Sequence, residues 1–295
     1  MSPSRTDEPL VSVVMPARNA AGRIVKTLES LKEQTYNSWE LILTDDGSTD
    51  ETAATVRAWA AEVQNLVHIV KGSGEGPSAA RNRAVESAQG SLLAFLDADD
   101  VWATGKLSRQ VQELTRHPEI SGVTCDYNIV APDSTESPTR VTFNWSDAEV
   151  RRWALLEGRG PALCSTLMIR ASAFRDAAGF DENLWNLEDV DLALRLLTKH
   201  QLVNLPTPLC DYLVMPGQNH QDSTTVLAAV EHLNTKESYL SDGADRRRIS
   251  TNVQLLVLTR AFRQHRSIGS LWPLIALAAK SPVTVGRTVT LALSR

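Results

Sequence analysis

The stretch from residue 10 to residue 100 alternates short runs of branched aliphatic residues with longer stretches of helical period, and few folds accommodate that alternation. Residues 10–15 (LVSVVM), 41–43, 66–70 and 92–96 (LLAFL) have the composition of buried strands. Between them, residues 20–34 place Ile24, Leu28 and Leu31 at helical spacing, and residues 52–63 and 78–88 read as two further helices. Strands that alternate with helices of this length imply βαβ units, hence an α/β chain with a mainly parallel, Rossmann-like sheet and helices on both faces. In such sheets ligands lie beyond the carboxyl ends of the strands. The polar clusters fall at those ends: PARN after the first strand, DDGSTD after the second, DADD after the fourth.

The rest of the chain is less regular. Residues 132–146 are polar and aperiodic and contain Pro132 and Pro138, which suits a linker between two halves of a catalytic domain. Residues 163–170 (LCSTLMIR) and 209–214 resemble strands, residues 188–200 a helix, and the chain from residue 224 onward reads as helical. The division expected is a catalytic domain over 1–225, with halves 1–130 and 131–225, followed by a helical region over 226–295. Apolar residues make up 42% of the 295 and charged residues 22%, enough to build a packed core. The net charge of −5 gives no case for nucleic acid as a partner. Residues 246–295 nevertheless hold nine basic residues and no Asp or Glu. Cys125, Cys164 and Cys210 stand far apart, against a disulfide framework or a zinc site and in favour of a reducing, cytoplasmic setting. The N-terminus has no signal-peptide pattern, and no uncharged apolar run is long enough to span a membrane.

Asp97-Ala98-Asp99-Asp100 is the sharpest chemical signal. Carboxylates crowded at the end of a hydrophobic strand repel one another, and a hard divalent cation relieves the repulsion. The alternative is structural, with Asp99 or Asp100 capping a helix that runs through Leu107 and Leu114. In Asp45-Asp46-Gly47-Ser48-Thr49-Asp50, a carboxylate can accept hydrogen bonds from a nucleobase, or Ser48, Thr49 or Asp50 can cap the next helix. The segment from Gly76 to Asn82 (GPSAARN) opens the third helix, where an anion is favoured and a plain capping turn is the alternative.

Together, VSVVMPARNA, ELILTDDGSTDET, GPSAARNRAVESAQG and SLLAFLDADDVW resemble glycosyltransferase family 2, with the GT-A fold, strongly over residues 11–102 and weakly to about residue 225. The resemblance implies a nucleotide-diphosphate sugar as donor. Pro16, Ala17, Arg18 and Asn19 match the loop lining the nucleotide pocket, and Asp46 matches the carboxylate on the base, usually uracil. Arg81 and Asn82 match the stretch lining the donor. Asp97 matches the carboxylate near the ribose, Ala98 beside it counts among the nucleotide-sugar-binding residues, and Asp99 matches the ligand of a divalent metal, Mn2+ or Mg2+, that holds the diphosphate. Glu188-Asp189 matches the family's Glu-Asp motif, whose Asp is the general base. Sugar transfer needs charge neutralisation at the departing diphosphate and a carboxylate to take the acceptor's proton, and attack opposite the leaving group inverts the anomeric centre.

Two positions depart from the pattern. Leu187 stands where the family often has Gly before Glu-Asp, and Met215 stands where a metal-side His is common, leaving His220 as a candidate metal ligand. Asp191 is expected to turn away from Asp189 toward solvent or a partner. Among Trp102, Trp145, Trp153 and Trp185, Trp185 beside the base motif is the candidate for stacking on a sugar. The basic 246–295 region suits either a solvated helical cap or peripheral contact with an anionic membrane on its inner face, which would fit a glycan or lipid-linked acceptor in surface polysaccharide or glycoconjugate assembly. Polyprenyl-phosphate glycosyl transfer, a nucleotidyltransferase and a non-catalytic nucleotide-sugar-binding module are the alternatives.

Overall fold

The computed structural model describes residues 8–131, 137–142, 164–213, 228–229, 232–233 and 235–236. The expected strands and helices of the first half are present: β1 (Val11–Ala17), α1 (Ile24–Lys32), β2 (Trp39–Asp45), α2 (Thr52–Ala60), β3 (Val67–Lys71), α3 (Pro77–Glu86) and β4 (Leu92–Phe95). They are followed by β5 (Val101–Trp102), α4 (Lys106–Arg116), β6 (Gly122–Val130), β7 (Thr139–Val141), a single 3-10 turn (Cys164–Thr166), β8 (Met168–Arg170), α5 (Ala171–Asp176), α6 (Glu188–Leu197) and β9 (Leu202–Leu213).

The sheet runs β3-β2-β1-β4-β8-β6-β9-β5, with β7 on β6. It is parallel over β3, β2, β1 and β4. Beyond β4 it is mixed, because β8 lies antiparallel between β4 and β6. Val11, Val13, Met15, Leu41 and Leu43 feed a core on one face of the sheet. Val14, Ile42, Leu93 and Phe95 feed the core on the other face, as strand alternation requires when both faces are covered. The long run 163–170 divides into the 3-10 turn and a short strand, and the strand expected at 209–214 begins earlier, at Leu202, where it pairs parallel with β6.

Register sets where the polar loops emerge. Ala17 lies opposite Asp45, Asp45 opposite Lys71, and Val14 opposite Phe95, so the loops after β1, β2, β3 and β4 leave one edge of the sheet together. Antiparallel β8 brings the 3-10 turn before it to the same edge. Neither Asp99 nor Asp100 caps α4, because β5 intervenes and Gly105 stands at its N-cap. The three cysteines are free and buried, and burial pushes the Cys125 thiol up to about 11. Lys106 is wholly buried as well. Its ammonium donates to Gln110 Oε1 at 2.7 Å and lies 4.1 Å from the Trp102 ring centroid. Among the described residues, no helix is long and apolar enough to cross a membrane. His220, Trp145, Trp153 and the basic region 246–295 lie outside the described residues.

Candidate active site

The loop after β1 and the loop after β2 are built on each other. Asn19 adopts a left-handed conformation, φ 48°, which its short polar side chain tolerates. Its Oδ1 accepts the Thr49 amide at 2.8 Å, and its own amide donates to Ser48 Oγ at 3.0 Å. Asp50 accepts the amides of Ala21 and Thr52, so it caps the start of α2 from one position before the N-cap. Pro16 and Ala17 end β1, and the Ala17 carbonyl accepts the Asp46 amide. Arg18 is exposed, with its guanidinium against Gly74.

Asp46 organises the third loop of this edge. The side chain is 4% exposed; Oδ1 accepts the amides of Gly74 and Glu75, and Oδ2 accepts that of Gly76. Three charge-assisted hydrogen bonds onto one carboxylate fix the course of residues 74–76 and hence the start of α3. Gly76 has φ 97°, and a Cβ there would lie 3.0 Å from Cε2 of Trp185, so the indole rests on bare backbone. Trp185 is 42% exposed, one of the few large apolar side chains left open among the described residues.

The centre of the site is Arg81 on α3, only 3% exposed. One guanidinium nitrogen donates to Asp97 Oδ1 at 2.5 Å, and another donates to Glu188 Oε1 at 2.9 Å. The guanidinium also stacks over Phe180, 5.3 Å from the ring centroid. A single buried cation therefore joins the DADD turn after β4 to the first residue of α6. Asn82 faces elsewhere: its side chain donates to the Phe180 carbonyl and Glu182 and accepts the Phe180 amide, tying down the segment that leads to Trp185. Ser78 Oγ donates to the Leu184 carbonyl and adds a second tie.

The DADD turn is braced from below. Ser165 Oγ accepts the Asp97 amide at 3.0 Å, and the Ser165 carbonyl accepts Trp102 Nε1 at 2.8 Å. Ala98 is buried, while Asp99 keeps partial exposure, with Arg23 Nε 3.7 Å from its carboxylate. Asp100 is 1% exposed, and its Oδ1 has no hydrogen-bond partner. Burial, with Asp97 and Asp99 beside it, pushes the Asp100 carboxyl well above the usual carboxylate range. Burial also raises Asp189, with neighbouring Glu188 adding to the effect. Tyr127 on β6 is pushed up to about 12 by burial, and next by the Asp189 charge.

Before α6, Leu187 is left-handed, φ 61°, ψ 16°. This is where a glycine is expected by resemblance, and a leucine there costs about 1–2 kcal/mol of backbone strain. Asp191 corrects the sequence expectation. It is 0% exposed and pairs with Arg195, one turn further along α6, at 2.5 Å and with Lys236, from far along the chain, at 2.7 Å. Sequence reasoning did not single out Ser165 or Lys236, and marked Ser78 only as part of GPSAARN; single polar residues in apolar or helical segments carry no local pattern that marks them.

The site thus brings Asp97, Glu188 and Asp189 around one buried guanidinium, with Asp99 and Asp100 in the same turn as Asp97, a crowding of carboxyl groups that suits cation binding or proton transfer. Among the described residues, no group of three or more His, Cys, Asp or Glu side chains is placed to hold a metal ion.

Solved glycosyltransferases share this architecture, the GT-A fold. The Staphylococcus aureus TarS 1-349 complex with UDP-GlcNAc superposes at a TM-score of 0.61 over 92% of each chain, at 15% identity. The mannosyltransferase PcManGT of Pyrobaculum calidifontis, in complex with GDP-Man and Mn2+, superposes at 0.59 over 99% of this chain and 87% of that one, at 19% identity. The family model for glycosyl transferase family 2 matches residues 12–177, more than half of the sequence, and the chain belongs to that family. Escherichia coli WfgD, a UDP-Glc:alpha-D-GlcNAc-diphosphoundecaprenol beta-1,3-glucosyltransferase, is 34% identical over 142 residues, 47% of this chain and 55% of WfgD. The chain spans about half the length of the curated relatives it matches.

Proposed function

We propose that this chain is an inverting glycosyltransferase that moves a sugar from a nucleotide-diphosphate donor, a uridine diphosphate sugar, to a glycan or lipid-linked acceptor in polysaccharide or glycoconjugate assembly. The observation that carries the reading is the double grip of Arg81, which holds Asp97 after β4 and Glu188 at the head of α6 within hydrogen-bond reach of one guanidinium. A donor-side carboxylate cluster and a candidate base are thereby fixed relative to each other, as an inverting displacement requires. The donor chemistry is supported by the UDP-Glc in the name of WfgD and the UDP-GlcNAc bound to TarS. The diphosphoundecaprenol in the name of WfgD supports a lipid-linked acceptor.

In this reading residues 16–19 and Ala98 line the nucleotide, and Arg81 and Asp97 hold the donor's sugar side. Asp46 and Asn82 act by fixing the loops around it, and Trp185 offers a face to a sugar ring. The residues fit a divalent cation on Asp99. The turn is over-supplied with carboxylates and leaves Asp100 Oδ1 without a partner, and magnesium or manganese takes few protein ligands when a diphosphate supplies the rest. Bound there, Mn2+ or Mg2+ would neutralise charge on the departing diphosphate; PcManGT was solved with Mn2+.

Asp189 is the base. Burial and Glu188 keep its carboxyl high, so it holds a proton to higher pH than an ordinary aspartate and binds the acceptor's proton more strongly when ionised. Transfer should rise with pH through that raised pKa, because only the ionised form accepts a proton. The test is a screen of uridine, guanosine and thymidine sugars with and without manganese, followed by Asp189→Asn. The variant is expected to bind donor as wild type does and to lose transfer by about 10²–10⁴-fold, with the pH-dependent limb abolished. Transfer at the wild-type rate would remove Asp189 from the mechanism.

A further inference from the structure

Lys236 is remote in sequence from every motif of the site, yet its ammonium lies between two carboxylates that bracket the base. It is 2.5 Å from Asp181 Oδ2 and 2.7 Å from Asp191 Oδ1. Asp191, in the first turn of α6, also takes Arg195. Asp181 also accepts the amide and side chain of Asn183 and meets His232 Nε2 at 2.8 Å. Burial opposes ionisation of Asp181, but hydrogen bonds led by that of Lys236 outweigh it and hold its carboxyl below the usual range. Leu233 and Ala229, on the same stretch as the lysine, are buried as well.

The segment closed by these two ion pairs contains Trp185, left-handed Leu187, Glu188 and Asp189. A leucine persists at positive φ only when its surroundings fix the chain on both sides. On the leading side, Asn82 and Ser78 hold Phe180 and Leu184. On the trailing side, Asp191 is the buried anchor, and Lys236 joins that anchor to Asp181 at the front. We infer that Lys236 is a positioning residue for Asp189, tying the two ends of the 181–191 segment together so that the strained turn presents Asp189 beside the Arg81–Glu188 pair. The inference rests on the base role proposed for Asp189.

The test uses the full chain and compares Lys236→Met, Lys236→Arg and wild type by amide hydrogen exchange and by steady-state kinetics. Lys236→Met is expected to speed exchange across 181–191 by about tenfold or more and to leave the amides of β1 and β2 unchanged. It should lower kcat by about tenfold with donor KM within about twofold, since the donor-side loops do not touch the lysine. Lys236→Arg should restore both. Asp181→Asn leaves the Asp191–Lys236–Arg195 pairing in place and is the milder cut if Lys236→Met folds poorly; it should give the same regional pattern at smaller size. Exchange that rises uniformly over the chain, or a folded variant with unchanged exchange at 181–191, overturns the inference. Exchange needs no donor, so a failed base assignment, seen as undiminished transfer by Asp189→Asn, is distinguishable from a failed clamp.

Discussion

The loops after β1, β2 and β3 and the segment before α6 both carry candidate site residues, but they are held in opposite ways. The first group is held by its own residues: Asn19 meets Ser48 and Thr49, Asp50 meets Ala21 and Thr52, and Asp46 meets residues 74–76. The segment 180–191 has a strained residue in its middle and is held from elsewhere, by Ser78, Arg81, Asn82 and Lys236. Loops that satisfy their own polar groups keep their shape when the rest of the molecule changes. A segment held by remote partners can be displaced by substitutions far from it, which makes it the more sensitive half of the site.

Arg81→Met is expected to have the largest effect, because it strands two carboxylates at the point where the regions meet. Breaking a buried ion pair in this way costs about 3–5 kcal/mol, read as a fall in unfolding free energy, with loss of protection at 97–100 and 188–191 together. Loss confined to one of those segments would break the view that the guanidinium couples them. Asp46→Ala comes next, at about 2–3 kcal/mol for the loss of charge-assisted bonds to three amides. Its disorder should be confined to 72–76 and the Trp185 face, sparing the Arg81–Glu188 contact; crystal structures or amide exchange of the variant would show whether it spreads.

Leu187 gives a finer comparison. Leu187→Val should be less stable than Leu187→Gly by about 1 kcal/mol, since branching at Cβ aggravates a left-handed backbone that glycine accepts freely. Equal melting temperatures would mean that the strain is relieved in some other way. The smallest effect is expected at Lys106, away from both regions. Burial lowers its pKa from 10.5, so the folded state releases a proton that the unfolded state keeps. Its contribution to stability is fully present above 10.5 and is lost as pH falls through the folded-state pKa. Lys106→Met removes that dependence, so any stability advantage of the variant, within about 1 kcal/mol, should shrink as pH rises toward 10.5. Melting curves across pH measure the slope.

The fold of the first half was legible because its information is local. Valine-rich runs, helical spacing and polar clusters at strand ends each occupy one short window, and parallel βαβ units admit few arrangements, so β1 to β4 and α1 to α3 follow from pattern alone. The carboxylates of residues 97–100 could be singled out as site candidates for the same local reason, and Glu188-Asp189 only through the family resemblance. The mixed half was less legible: β6, β5 and α5 have no sharp period, and the placement of β8 between β4 and β6 depends on long-range pairing.

What the sequence determined by itself was the order of elements through β4, the motifs and the family pattern, because helix and strand periodicity and turn chemistry act between near neighbours. What only the tertiary structure decided was the use of each polar side chain. Asp46 and Asn82 proved to hold loops, Arg81 to bridge Asp97 and Glu188, and Asp191 to be buried with Arg195 and Lys236. A buried charge takes its partner from whatever the fold brings within about 3 Å, and that choice is made between elements far apart in the chain, where no local pattern records it.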